Sequence, residues 1–360
     1  MEKTATSKRC NTQYSLKKPE SKCKCFVPTG GQSGDNQERH HRFSQFVRNF
    51  AERFKNKLSS SGESTNVSSM NVKPSGESTN AETHPRKRAL LCGVTYKNKK
   101  YKLKGTVNDV RYMRDFLMNK YRYPAECIRV LTEDEKEDIF SPTKKNIQES
   151  LKWLVEGSES GDSLVFYFSG HGLRQPDFND DERDGFDETI CPVDFMQEGM
   201  ILDNEINSTI VWPLKKGVTL HAIVDACHSG TILDLEYIYK PETNDWEDNS
   251  APSKARKSTS GGIAICLSAC DDDKMAADTT AFTGKAMAGA MTYLMIETIK
   301  KDAEITYGHL LERMREMVEQ FNDKSCLGKF LPTFFYHRKI QNALLSSSEM
   351  FDVYTKKFLL

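Results

Sequence analysis

Two patterns of apolar residues alternate along this chain. Short unbroken runs read as strands buried on both faces: RALLCGVTY (88–96), CIRVLTED (127–134), DSLVFYFSGHG (162–172), VTLHAIVDAC (218–227) and GIAICLSAC (262–270). Elsewhere apolar residues recur every three or four positions, in NDVRYMRDFLMNKY (108–121), TKKNIQESLKWLVEG (143–157), GKAMAGAMTYLMIETIKK (284–301) and TYGHLLERMREMVEQF (306–321). That spacing predicts amphipathic helices. Asn108 is expected to cap the first of them and Gly157 to stop the second. Continuous apolar strands alternating with helices predict an α/β fold, a mostly parallel sheet covered on both faces. Sites in such sheets form beyond the carboxyl ends of the strands.

Residues 1–85 break the pattern, being rich in Ser, Asn, Lys and Glu. The polar hexapeptide SGESTN occurs twice, at 61–66 and 75–80. It has no apolar period to offset the entropy of ordering, so 59–85 is expected to be a disordered linker. Before it, Phe43, Phe46, Val47, Phe50 and Phe54 predict one amphipathic helix over 43–58, able to dock on the folded domain or on a regulatory partner.

Composition narrows the classes. A chain of 360 residues can bury one large core or two. Lys plus Arg and Asp plus Glu both total 51, so no global charge draws it to nucleic acid or a membrane. The basic residues of the amino terminus are diluted by acids and lack interleaved aromatics, against a nucleic-acid module. The start, MEKTATSKRC, has no apolar core of a signal peptide, and no run approaches the roughly 20 apolar residues of a membrane span. A soluble protein of a reducing compartment is expected, in the cytoplasm with the nucleus as a second location, its ten cysteines mostly thiols. Cys10, Cys23 and Cys25, with His40 and His41 distant, lack the four-ligand spacing of a zinc finger, and none is expected.

Two strands end in chemistry. FYFSGHG (166–172) closes on His171 and DACHSG (225–230) carries Cys227, each followed by glycine or Ser-Gly. A thiol near its ordinary pKa is only partly thiolate at neutral pH, and a nearby imidazole supplies the activation. His171 is preferred as base over His228, because adjacent residues on a turn seldom bring an imidazole onto the neighbouring sulfur. The amides of Gly172 and Cys227 can point at a developing oxyanion. Asp225, two residues before Cys227, shares its side of the strand. Asp109, after the first strand, is expected at the same edge, either beside the nucleophile or as a helix-dipole acid. Two acids beside a nucleophile ask for a cationic substrate group. His221 and the Cys266/Cys270 pair read as packing residues.

YFSGHG and DACHSG resemble the histidine and cysteine motifs of the metacaspases, caspase-like cysteine peptidases of plants, fungi and protists. ALLCGVTY, LKGTVNDV (103–110), DGFDETICPVDF (184–195) and LSSSEMFDVYTK (345–356) resemble their plant type I branch. The resemblance covers about 86–360. It implies a caspase-like three-layer α/β/α sandwich, with His171 as general base, Cys227 as nucleophile, and Asp109, Ser169 and Asp225 in the pocket for a P1 Arg or Lys. The family often has cysteine at the position of Thr106, which would also line that pocket.

DFNDDERDGFDE (177–188) fails as an EF-hand, since with Asp180 first the third position is Glu182 and the twelfth Cys191. The resemblance instead implies calcium as activator, on Asp187, Asp203, Asn204 and Asp234, with no zinc at the active site. It divides the domain into a large-subunit-like part (86–239), a polar linker (240–260) and a small-subunit-like part (261–360). Lys254, Arg256 and Lys257 in that linker are the self-cleavage candidates. The resemblance implies a monomeric endopeptidase acting on proteins or peptides, in programmed cell death or in stress and defence responses. A regulatory scaffold, recruiting partners through the amino-terminal helix, is the alternative.

Overall fold

The computed structural model describes residues 86–360, apart from 104, 136, 180–181, 252, 254–255, 270–289 and 323–341. The expected helix over 43–58, Cys270, and residues 284–289 of the helix expected over 284–301 therefore lie outside the described residues. All five predicted strands form: β1 (Lys87–Gly93), β2 (Ile128–Thr132), β3 (Ser163–Ser169), β7 (Thr219–Asp225) and β10 (Ile263–Ser268). They lie side by side and parallel, in the order β2-β1-β3-β7-β10. Strands β11 (Leu344–Ser347), β8 (Tyr237–Lys240) and β9 (Asp245–Asp248) extend the sheet antiparallel beyond β10. A second, antiparallel sheet joins β4 (Gly172–Pro176), β5 (Phe186–Ile190) and β6 (Ile201–Leu202).

The period of two sorts the core onto two faces. Leu90, Cys92, Leu164, Phe166, Phe168, Leu220, Ala222 and Val224 pack on one, against Ile147, Leu151 and Leu154 of helix α2 (Lys144–Val155). Ala89, Leu91, Val165, Tyr167, Ile223 and Ile265 pack on the other. There they meet α1 (Thr106–Tyr121), α3 (Ala290–Lys301) and α4 (Tyr307–Asn322). Three layers result, helix on sheet on helix. Removing each such aliphatic side chain from water contributes about 1.5–3 kcal/mol, so both faces hold the sheet.

Three local expectations change. Asn108 is not a cap: α1 begins at Thr106, because Gly105 takes a left-handed conformation (φ 111°) that lets helical geometry start earlier than the apolar period does. Thr143 caps α2, its side chain accepting from the Asn146 amide, while Gly157 (φ 60°) follows the helix as expected. The segment 240–260 is not wholly loop, since β9 lies within it and pairs with β8. Its polar residues gave no strand period, and only a free sheet edge recruits them.

His221 sits in β7 as a buried interior histidine, its Nε2 2.5 Å from the Tyr307 hydroxyl. Burial, with a smaller contribution from Lys356, holds its pKa down at about 3 against an ordinary 6.5. A depressed folded-state value means a contribution to stability that is complete above 6.5 and is lost as pH falls towards about 3. Urea unfolding across that window should show a shallower acid loss for His221→Phe than for the parent. Near neutrality the variant should be weaker by about 1 kcal/mol, for the lost Tyr307 bond.

Candidate active site

Strands β3 and β7 are paired in parallel with Ser169 opposite Asp225. The residues two further along are His171 and Cys227, so backbone pairing alone delivers both to the same rim. The Gly170 amide donates to the Asp225 carbonyl (3.4 Å) and continues the ladder past the last strand residue. A Cβ on Gly172 would lie 2.0 Å from the Cys227 carbonyl oxygen. The two backbones approach too closely for any other residue at 172. Beyond Cys227 the chain turns sharply through His228 (φ 51°), and the Ser229 hydroxyl donates to the Ala226 carbonyl (2.8 Å).

His171 is held on several sides. Its Nε2 lies 2.7 Å from the Tyr101 carbonyl. A carbonyl can only accept, so Nε2 carries the proton and Nδ1 carries the lone pair. Its own amide donates to the Tyr96 hydroxyl (2.9 Å), which in turn donates to the Cys191 carbonyl (2.6 Å). The Tyr96 ring stacks at a tilt on the imidazole, centroids 4.7 Å apart. Tyr96 itself is fixed by Glu133 at the end of β2, whose carboxylate accepts from the consecutive amides of Thr95, Tyr96 and Lys97. Three successive amides on one carboxylate make a rigid turn. Tyr96, Tyr101 and Glu133 were absent from the sequence reading. Each acts through backbone groups or ring packing, for which a sequence carries no motif.

Cys227 is half-buried at the rim. Cys92, Cys191 and Cys266 are buried, and burial raises their thiol pKa values, that of Cys266 to about 12. Those three are packing thiols, unavailable as thiolates.

Asp109 and Asp225 bear on one buried hydroxyl, that of Tyr167: burial first, then Asp109, then Asp225 raise its pKa, and it shares a hydrogen bond with the Thr292 hydroxyl (3.0 Å). The Asp225 carboxylate accepts from the amide and hydroxyl of Thr292 in α3 (3.0 and 2.7 Å). Helix α3 thereby orients the acid from the face of the sheet that carries Tyr167. Thr106 is fully buried with its hydroxyl 3.0 Å from that of Thr95.

A group of buried carboxylates comes from the loop before β5 (Glu182), β5 itself (Asp187), the turn after β6 (Asp203) and the loop after Cys227 (Asp234). Asp203 is buried and accepts from the amides of Glu188 and Asn204 (both 2.7 Å). Burial first, then Glu188 and Asp234, push its pKa up. Asp187 is raised by burial, accepts from Gln175 through Oδ2 (3.1 Å), and leaves a buried Oδ1 with no hydrogen-bond partner. Asp234 and Glu182 face each other, both pushed up mainly by burial. Asn204 is half-buried and joins through its backbone amide. Two members were unexpected. Glu182 belongs to the group, and Lys257, expected on an exposed loop, is 1% exposed and ion-paired with both Asp234 and Glu182 (3.0 Å to the latter). Arg256 is exposed, stacked on Trp212 at 4.9 Å, and Lys254 lies outside the described residues. Among the described residues, no three His, Cys, Asp or Glu side chains stand gathered as a metal site in this conformation. The donors nevertheless fit a hard cation: they are all oxygens, one of them, Asp187 Oδ1, is orphaned, and two of the acids are already paired with a buried ammonium.

A rim cysteine beside an imidazole with its lone pair on Nδ1 equips the protein for acyl transfer from a peptide carbonyl. The layered sheet beneath it is that of the caspase-like cysteine peptidases. Comparison with known proteins agrees. A model of the metacaspase peptidase C14 domain matches residues 87–236. The chain is 44% identical over 291 residues to Metacaspase-1 of Arabidopsis thaliana, across 77% of this chain and 79% of that one. It is 47% identical over 279 residues to Metacaspase-3 of the same plant, across 76% of each. Metacaspase-1 of the fungus Pyricularia oryzae is 34% identical over 280 residues, across 66% of this chain and 70% of that one. The chain therefore belongs to the metacaspase family, in its plant type I branch, and is a cysteine-type peptidase acting on protein substrates. Among the described residues no helix is long and apolar enough to cross a membrane.

The approach of Gly172 to Cys227 is directly testable. Gly172→Ala should lower kcat/KM on a peptide substrate about a hundredfold, the usual cost of an ångström-scale misplacement, with circular dichroism unchanged.

Proposed function

We propose that this chain is a calcium-dependent endopeptidase that cleaves after Arg or Lys, processes itself within 240–260, and serves programmed cell death or stress and defence responses. The observation that carries the specificity is that two carboxylates, Asp109 and Asp225, bear on the buried Tyr167 hydroxyl, with Ser169 opposite Asp225 in the ladder that leads to Cys227. Two carboxylates there ask for a guanidinium or ammonium, and reject the acidic side chain that caspases accept.

In this reading the Nδ1 lone pair of His171 takes the Cys227 proton and the thiolate attacks the scissile carbonyl. The Tyr101 carbonyl holds the Nε2 proton and stabilises the imidazolium that forms. The amides of Gly172 and Cys227 hold the oxyanion, His171 returns its proton to the leaving amine, and water resolves the acyl-enzyme. Asp187, Asp203 and Asp234, with Glu182, would hold calcium, and Asn204 would contribute its amide oxygen. A bound cation would supply positive charge to a buried acidic pocket and order the loop between Cys227 and Asp234. The amino-terminal extension offers a site for a regulatory partner, and the peptidase acts as a monomer.

Fluorogenic peptides ending in Arg or Asp, assayed with calcium or with chelator, test this. Turnover is expected for Arg alone, in calcium alone, and is absent in Cys227→Ala. Equal signals from Cys227→Ala and the parent would favour the scaffold. Asp225→Asn should cut kcat/KM for the Arg peptide about 10- to 100-fold, chiefly through KM, as expected when a charge-assisted bond worth about 1.5–3 kcal/mol is weakened. An unchanged value would remove Asp225 from the pocket.

A further inference from the structure

Lys257 stands where a lysine is costly. Its ammonium is buried between Asp234 and Glu182, which come from the loop after the nucleophile and from the loop before β5. The two ion pairs hold the ammonium as a counter-ion inside a pocket of hard oxygen donors. One lysine does not balance the group. Lys257 is paired with two of its acids, Asp234 and Glu182, while Asp187 accepts from Gln175 and Asp203 from backbone amides, and the buried Asp187 Oδ1 has no hydrogen-bond partner. Glu188 is satisfied separately, by Arg174 (2.7 Å) and the Thr231 hydroxyl (2.5 Å).

The backbone around Lys257 is tied to the same place. Asn207 Nδ2 donates to the carbonyls of Leu233 (2.9 Å), Asp234 (2.9 Å) and Lys257 (3.3 Å). Its neighbours are surface residues: Arg256 is exposed, and Ser258 and Thr259 are half-buried. The segment is also held by the Arg256 stacking on Trp212 and by Ser260, whose hydroxyl donates to the Trp212 carbonyl (2.7 Å), while the side chain of Lys257 supplies its buried ion pairing with the acidic pocket.

We propose that Lys257 is the internal counter-ion of this carboxylate pocket and competes with a divalent cation for it, so that cation entry and release of the 256–260 segment are one equilibrium. The proposal rests on the calcium reading above and deepens it. It accounts for a pocket with donors for a metal whose side chains are not gathered as one: the ammonium stands between Asp234 and Glu182. A cation of charge two, taking the place of a charge of one, would also serve the acids that Lys257 does not pair with. The expelled lysine then carries the linker outward, which exposes the Lys257–Ser258 bond to a protease cleft that takes lysine. The apparent affinity for calcium is lowered by the fraction of molecules in which Lys257 still occupies the pocket.

The test uses the full chain as Cys227→Ala, so that no self-cleavage intervenes. Calorimetric titration with calcium chloride should give a dissociation constant at least about tenfold smaller when Lys257→Met is added, because the competitor is gone. A calcium-independent lysyl endopeptidase, with products located by mass spectrometry, should nick after Lys257 at least about tenfold faster in calcium than in chelator. Calcium uptake at equal affinity in both proteins, or uptake with an unchanged nicking rate, overturns the competition and leaves the calcium reading standing. No uptake by either protein overturns both. If Lys257→Met does not fold, the nicking arm decides alone, since it needs no change at 257.

Discussion

One ladder of backbone hydrogen bonds underlies the chemistry, the parallel pairing of β3 with β7. Its register sets Ser169 against Asp225, and everything that follows on the two strands inherits that match. His171 and Cys227 are neighbours because each lies two residues beyond a matched pair. A slip of one residue would turn every side chain of β7 to the other face and bury the acid among leucines. The register is secured by the two-faced core, in which Phe166 and Phe168 cannot exchange places with Val165 and Tyr167 without leaving cavities and clashes.

Around that ladder the protein sets its charges at different depths. Asp225 is reached from α3 through Thr292, and Asp109 from α1, so the helices of one face position the acids of the candidate pocket. The imidazole is fixed from the loop after β1, through Tyr96 and Tyr101, and that loop is fastened by Glu133 of the next strand over. Neighbouring strands thus cooperate through their carboxyl-end loops. The second acidic group, drawn from the loop before β5, β5 itself, the turn after β6 and the loop after Cys227, lies far enough from water that its carboxylates cannot all remain charged without a partner. Lys257 is the partner present.

Legibility in the sequence followed the range of the interaction. The five parallel strands and four long helices were visible because burial imposes a local period on each. The strand-end motifs were visible because glycine and serine mark where a backbone must turn beside a reactive side chain. The strands missed were β4–β6 and β8, β9 and β11, short edge or side-sheet segments whose partners, not their own residues, create them. Asn108 was misplaced as a cap because the apolar period starts later than the helix does, and Gly105 supplied the turn.

The sequence by itself determined the sheet, its covering helices, the pair of strand ends bearing His171 and Cys227, and the family to which the chain belongs. Each of these is written in short-range spacing, which the polypeptide's own geometry enforces. Only the tertiary structure decided that Tyr96, Tyr101 and Glu133 lock the imidazole, and that Lys257 lies inside the acidic pocket rather than on an exposed loop. Those outcomes join residues from distant parts of the chain, Lys257 to Glu182 across 75 positions. They depend on which unpaired charge and carbonyl the folded chain leaves nearest, and no local period records that.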